Sequence, residues 1–152
     1  MMRVLSLLVV AALTAGLEAT QAPDHGAHRV LAPDGVKWAP LGPTMSVAVL
    51  SGVPQEDGSP FVLRLKLAAG ATVAPHWHPV DEHLTVLSGR FHMGMGERFD
   101  KAAGSALAPG AYAVMPKSAI HFAWVDDETV VQIHGVGPFT TTFVEPRPPR
   151  SP

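Results

Sequence analysis

The chain has 152 residues, about the length of one ordinary domain and enough to bury a core. Apolar residues make up 47% and charged residues 16%, a balance typical of a folded globular protein rather than a disordered one. The formal net charge is −2 and Lys and Arg form no dense cluster, so the chain lacks the basic face that nucleic-acid binding requires. There is no cysteine, which excludes disulfides and a thioether-linked lipid.

The N-terminal stretch MMRVLSLLVVAALTAGLEATQA has the order of a secretory signal. One positive charge, Arg3, precedes an apolar run from Val4 to about Leu17, and small residues follow it. The run is short for a bilayer span, which needs about 20 residues. We therefore predict a signal peptide over residues 1–22, a periplasmic or secreted protein, and no membrane attachment after cleavage. The alternative is an N-terminal strand or anchor helix.

Residues 23–144 are predicted to form one all-β domain, because short apolar runs alternate with turn segments throughout. In FVLRLKL, apolar side chains alternate with Arg64 and Lys66, the period of two that is typical of a half-buried strand. Segment 97–107 is expected to form a surface loop or one turn of helix, and the Pro-rich tail over 145–152 is expected to be extended. The predicted strands cover 45–52, 61–70, 83–89, 90–96, 112–116, 121–125 and 129–135.

The segment HWHPVDEH, residues 76–83, concentrates titratable side chains. Side chains alternate along a strand, so His76 and His78 point to the same side, and Glu82 shares their parity after a tight turn. His121 lies far along the chain on another predicted strand. Three imidazoles and a carboxylate suit first-row transition metals such as Mn, Fe, Ni, Cu or Zn. The alternative is a histidine patch on the surface of a loop.

The same residues match the two sequence motifs of the cupin family. The first motif is satisfied without a gap by Gly70, His76, His78, Glu82 and Gly89. The second fits at Gly110, Pro116 and His121, with Ser118 in place of the motif glycine and Val125 in place of the asparagine. The chain therefore resembles a single-domain cupin over about residues 60–135. The resemblance implies a cupin-type antiparallel β-barrel, or jelly-roll sandwich, with one divalent metal held by His76, His78, Glu82 and His121.

Further residues are candidates for catalysis. His134, on the last predicted strand, is expected to reach the pocket as an acid–base group; the alternative is a hydrogen-bonded edge histidine. Tyr112, the single tyrosine, is a candidate proton donor or a core residue. Glu82 is expected to serve as base as well as ligand. His83 has the opposite parity and is expected to be structural. The predicted apolar pocket wall consists of Phe91, Met93 and Met95.

The resemblance and the predicted signal peptide together suggest an exported mononuclear metal-binding cupin. The first hypothesis is an oxidoreductase, a dioxygenase or oxidase, acting on a small organic or carbohydrate-like substrate, with Mn, Fe or Cu favoured and Ni or Zn as alternatives. The second is a non-redox isomerase or lyase, in which the metal acts as a Lewis acid. The third is a periplasmic protein that binds a metal or small ligand without turnover. A homodimer is expected, because the apolar segment 45–52 is interpreted as an edge strand.

Overall fold

The computed structural model describes residues 28–144, so the predicted signal peptide and the predicted tail lie outside the described residues. Residues 28–31 contain no helix or strand, and the compact unit that holds every assigned element begins at Ala32. Across residues 28–144, no helix has the length and hydropathy needed to cross a bilayer.

The elements are almost all strands, as the sequence predicts. Two single turns of 3-10 helix span Pro33–Gly35 and Lys101–Ala103. The strands are β1 (Ala39–Pro40), β2 (Met45–Ser51), β3 (Pro60–Leu67), β4 (Thr72–Trp77), β5 (Glu82–Ser88), β6 (Phe91–Met95), β7 (Ser105–Leu107), β8 (Tyr112–Met115), β9 (His121–Val125), β10 (Thr129–Val136) and β11 (Thr142–Phe143).

The strands form two antiparallel sheets that face each other as a jelly-roll sandwich, which confirms the predicted fold class. The first sheet has the order β1-β2-β3-β10-β5-β8 and the second has the order β11-β4-β9-β6-β7. Within the described residues the two sheets remain separate and do not close into one continuous barrel. The apolar core and the functional site both lie between them.

Strand β3 shows why the period of two specifies this arrangement. Phe61 and Leu67 are 2% and 0% exposed and face the second sheet, while the intervening cations lie on the outer face. There Arg64 Nε donates a hydrogen bond to Gln132 Oε1 at 3.1 Å, and the Lys66 ammonium lies 4.7 Å from the centre of the Trp38 ring. The charged side chains of β3 thus bind partners on the outer face of the sheet, and its apolar side chains pack into the core on the inner face.

Strand β9 is buried along its whole length, because both of its faces are covered. Its outward-facing Phe122 and Trp124 lie beneath segment 97–104: the Phe99 ring is 5.1 Å from Phe122. At Gly104 a Cβ atom would lie 2.2 Å from Trp124 Cη2, so only glycine permits this approach. Segment 97–107 contains the expected single turn of helix and also β7, a strand that the sequence did not predict.

The predicted edge position of residues 45–52 is wrong. Strand β2 pairs with β3 along one side and, at Ser46 and Val47, with β1 on the other, so it is not the end strand of the sheet. The end of the sheet is instead β1, two residues long and containing Pro40. A short, proline-containing end strand offers few free donors, which protects the sheet from further pairing on this side.

Candidate metal centre

Four buried side chains meet at one end of the sandwich. His76 lies near the end of β4, His78 follows that strand, Glu82 begins β5 and His121 begins β9. They are 6%, 5%, 4% and 4% exposed, respectively. Ring nitrogens of the three histidines lie within 4.8 Å of one another. Because these side chains are buried, the alternative of a surface histidine patch is wrong.

The orientation of each ring is fixed from behind by the backbone. In each case Nδ1 is within hydrogen-bond distance of a carbonyl oxygen: 2.8 Å from Ala74 for His76, 2.8 Å from Thr140 for His78 and 2.9 Å from Ala119 for His121. A carbonyl can only accept, so Nδ1 carries the proton and donates it. In the neutral ring Nε2 then has a free lone pair, the state that ligates a metal ion.

The carboxylate of Glu82 is the centre's unsatisfied group. Its Oε2 atom lies 3.1 Å from His121 Nε2 and 3.3 Å from His78 Nε2. With the rings neutral, however, this buried oxygen receives no hydrogen bond. A buried anionic oxygen without a donor is costly, so Oε2 needs either a proton on the facing His121 ring or a metal ion. A divalent transition metal ion is the partner that satisfies all four groups at once, so the residues fit such an ion.

The pKa values of the cluster show the same need for a positive charge. Burial alone raises the pKa of Glu82, but hydrogen bonds and charge interactions with the facing His121 and His78 side chains outweigh it and lower that pKa to about 2. The pKa of His121 is raised, because Glu82 and the Ala119 carbonyl hold its proton against the effect of burial. The pKa of His76 falls to about 4, first through burial and then through the charge on His121. A proton on His121 therefore occupies the cluster when no metal does.

The turn before His121 is held by contacts that sequence reasoning missed. The Asp81 Oδ1 atom accepts a hydrogen bond from the Lys117 amide at 2.7 Å, and the Ser118 amide donates to the His78 carbonyl at 2.8 Å. Ser118 has a φ of 64°, the left-handed conformation that the motif glycine would adopt without strain. These bonds join the turn to the segment that carries His78 and Glu82, so the ligands are positioned together.

A C-terminal segment, residues 138–143, covers the histidines. The ring of Phe139 stacks on His78 with centroids 4.2 Å apart, and Phe143 packs against His76 at 5.7 Å. Strand β11 holds this segment in place by pairing Phe143 with His76. In the sequence, the sign of this covering segment is Phe139, the aromatic residue that follows Gly137 and Pro138. It lies beyond both cupin motifs.

The four candidate ligands also form part of the wall of a cavity of about 540 Å³ between the two sheets. This volume suits a small molecule. Phe91 and Met93 contribute to the wall, as predicted from their shared parity. Met95 does not: it lies at the end of β6 and is 53% exposed, so this part of the predicted wall is wrong.

His134 and Tyr112 do not reach the cavity, which corrects the expectation for both. They lie on the outer face of the first sheet, where the His134 ring stacks on His83 with centroids 5.0 Å apart. His83 Nδ1 lies 2.5 Å from the Tyr112 hydroxyl, and Tyr112 is 56% exposed. The inner face of β10 belongs to Val131 and Ile133, which are 0% and 2% exposed. His83 points outward, as its parity predicts.

The fold and the centre together define a small jelly-roll protein with a buried three-histidine, one-glutamate site. A family model described as the ChrR cupin-like domain matches residues 27–140. The chain therefore belongs to this family within the cupin superfamily, and the resemblance seen in the motifs is confirmed. A comparison with curated protein sequences gives no match.

Solved cupin structures have the same fold at low sequence identity. The polyketide cyclase RemF from Streptomyces resistomycificus has a TM-score of 0.61 at 13% identity, over 78% of this chain and 88% of that chain. The DMSP lyase DddQ from Ruegeria pomeroyi has a TM-score of 0.58 at 18% identity, over 72% and 61%. Salicylate 1,2-dioxygenase from Pseudoaminobacter salicylatoxidans has a TM-score of 0.56 at 14% identity, over 68% and 30%. At these identities the likeness concerns the fold alone.

Proposed function

We propose that the chain is an exported, mononuclear metal-dependent oxidoreductase of the dioxygenase or oxidase type, acting on a small organic molecule. The observation that carries the proposal is that all four candidate ligands line the 540 Å³ cavity. A centre that opens onto a cavity leaves room for a substrate beside the ion. A protein that only stores metal has no need of such a space, so the cavity supports an enzyme over a binding protein.

The composition of the cavity wall supports an oxidoreductase over an isomerase or lyase. Among the described residues that line the cavity, the titratable ones are His76, His78, Glu82 and His121. An isomerase or lyase generally uses a separate acid and base to move protons between substrate atoms. Here His134 and Tyr112 face away, so Glu82 remains as the single proton-accepting candidate beside the ligating rings. Dioxygen chemistry at a redox metal depends less on a separate acid and base. The solved structures with the same fold include a dioxygenase as well as a lyase and a cyclase.

The protein's own residues have defined tasks in this proposal. Bound Mn, Fe or Cu would supply a Lewis acid and one-electron redox chemistry, held by Nε2 of the three histidines and by the carboxylate of Glu82. The backbone carbonyls behind each ring fix its direction, and Phe139 and Phe143 exclude water from two of the rings. With its pKa lowered to about 2, Glu82 is a carboxylate at neutral pH. Its Oε2 atom is placed to ligate and, when released, to accept a proton.

The test compares metal content in His76→Ala and His83→Ala variants of untagged protein. We expect one equivalent of a first-row transition metal in the wild type and in His83→Ala, whose ring lies on the outer face, and loss of the metal in His76→Ala. Substrate-dependent oxygen uptake with Mn, Fe or Cu would support the oxidoreductase. Zn or Ni with no oxygen uptake would favour the isomerase, lyase or binding alternatives. Unchanged metal in His76→Ala would overturn the assigned centre.

Export and dimerisation stay predictions of the sequence. Fractionation of cells that express the full chain tests export, with processed protein expected outside the cytoplasm. Sedimentation or light scattering tests the homodimer. Because β2 is not the end strand of its sheet, the available end is β8, where Tyr112 and Val114 are 56% and 48% exposed. A monomer at micromolar concentration would contradict the dimer.

A further inference from the structure

The cavity beside the metal centre is almost entirely apolar. Apart from the four ligands, its wall in the described part of the chain consists of aliphatic, Met, Phe, Pro and Gly residues with two polar exceptions, Gln55 and Thr141. Both exceptions are exposed and lie in loops at the rim rather than on strands. Below the rim, the four ligands are therefore the groups that can hold a polar atom of a ligand.

The charge of the metal centre determines which polar group of a bound molecule it attracts. A divalent ion held by three neutral imidazoles and the single carboxylate of Glu82 keeps a net charge of +1. No other described cavity-lining residue is acidic. In an apolar environment, charge interactions are strong, so a centre loaded with such an ion would favour an anionic oxygen donor from the cavity.

We infer that the molecule bound in this cavity has an apolar body and a single anionic oxygen head that meets the metal. The inference rests on the proposed metal centre and names the substrate class of that site. It replaces the carbohydrate-like substrate expected from the resemblance. Each sugar hydroxyl buried against Leu65, Val131 or Met93 would lose its water without gaining a partner, which weakens binding by roughly tenfold or more.

The test measures dissociation constants of straight-chain carboxylates from acetate to octanoate, by calorimetry on the full chain loaded with Zn as a redox-silent ion. Each methylene moved from water into the cavity should tighten binding about fourfold, until the cavity is full. Gluconate, with six carbons and five hydroxyls, should bind far more weakly than hexanoate. Affinity that is independent of chain length, or gluconate at least as tight as hexanoate, would overturn the inference.

Matched pairs of variants test whether the dependence of affinity on chain length arises in the cavity. Leu65→Asn introduces an amide into the wall and should reduce octanoate binding at least fourfold while acetate binding is unchanged. Leu87→Asn carries the same substitution at an exposed residue outside the cavity and should change neither. If Leu65→Asn fails to fold, the milder pair Val47→Thr in the wall and Val114→Thr on the outer face makes the same comparison. Equal effects within a pair would contradict the apolar site.

Two results separate this inference from the proposed function. The first is the metal content, measured in the same samples. The second is carboxylate binding by His76→Ala, which should be weaker by the same factor for every chain length, because the variant lacks the metal that binds the head group. Chain-length dependence in a protein that holds no metal would contradict the metal centre and leave the apolar body supported. One equivalent of metal with flat affinities would contradict the apolar body alone.

Discussion

At the scale of single residues, the site depends on pairing each histidine with a backbone carbonyl. The three Nδ1 contacts of 2.8, 2.8 and 2.9 Å set the ring directions without any side-chain partner. The meeting of these four side chains was predictable from sequence because strand parity and motif spacing both select them. The carbonyl contact of His78 was not, because its partner Thr140 is distant along the chain and depends on how that segment approaches.

The errors at this scale also have a physical origin. The alternation of side chains places His134 and Gln132 on the same face of β10, but it does not show which face of the strand is buried. Val131 and Ile133 carry that information, because an apolar pair in a strand selects the buried face. They are 0% and 2% exposed, so His134 must point outward.

The raised pKa of His121 predicts how metal affinity depends on pH. In the metal-free protein Glu82 and His76, with pKa values lowered to about 2 and about 4, are already deprotonated at neutral pH. The proton on His121 must leave when the metal binds, and its pKa lies above 6.5. Below that raised pKa, affinity should increase about tenfold per pH unit, and above it the dependence should flatten.

Calorimetric titration of the metal-free protein in two buffers of different ionisation enthalpy measures this dependence together with the number of protons released. We expect about one proton from His121 near pH 6.5. Affinity that stays constant from pH 5.5 to 7.5, with no proton release, would mean that His121 is not a ligand.

At the scale of elements, the strands that the sequence predicts are those with clear alternation, such as β3 and β10. These two strands pair over eight residues, from Thr129 opposite Leu67 to Val136 opposite Pro60. Strand β4 is assumed from the alternation of His76 and His78 but has no predicted bounds. The missed strands β1, β7 and β11 have two or three residues each and no period to detect. Strand β11 forms because β4 offers it an edge, so its existence is a tertiary effect.

The turn between β8 and β9 gives a prediction at this scale. Asp81→Ala removes the acceptor of the Lys117 amide bond and should loosen the turn that leads into His121. Outer partners of this kind typically contribute 10- to 100-fold to metal affinity, and we expect a loss of about tenfold. Asp81→Asn keeps an oxygen acceptor at the same position and serves as the control. Competition with a chromophoric chelator measures both; equal affinities for Asp81→Ala and wild type would refute the role of this bond.

At the scale of the whole molecule, the candidate metal ligands come from both sheets of the sandwich. Glu82 belongs to the first sheet, and His76 and His121 belong to the second. A chain without cysteine cannot use disulfides to join its sheets. The composition and strand pattern were sufficient to predict the fold class, whereas the cavity depends on the distance between the two sheets, which no local pattern encodes.

Metal removal should therefore lower the stability of the whole sandwich. At a free metal concentration of 100 times Kd, binding contributes about 2.7 kcal/mol, so a chelator should lower Tm by on the order of 10 °C. Differential scanning calorimetry with and without chelator measures the shift, and returning the metal should restore it. His76→Ala should be insensitive to the chelator. A wild-type Tm that the chelator does not change would argue against a metal that joins the sheets.

The most direct test of the account is the metal stoichiometry of the untagged protein, measured by mass spectrometry beside the His76→Ala variant. We expect about one equivalent of a first-row transition metal in the wild type and almost none in the variant. A wild-type protein that holds no such metal when purified and after incubation with Mn, Fe, Cu, Ni and Zn salts would contradict it.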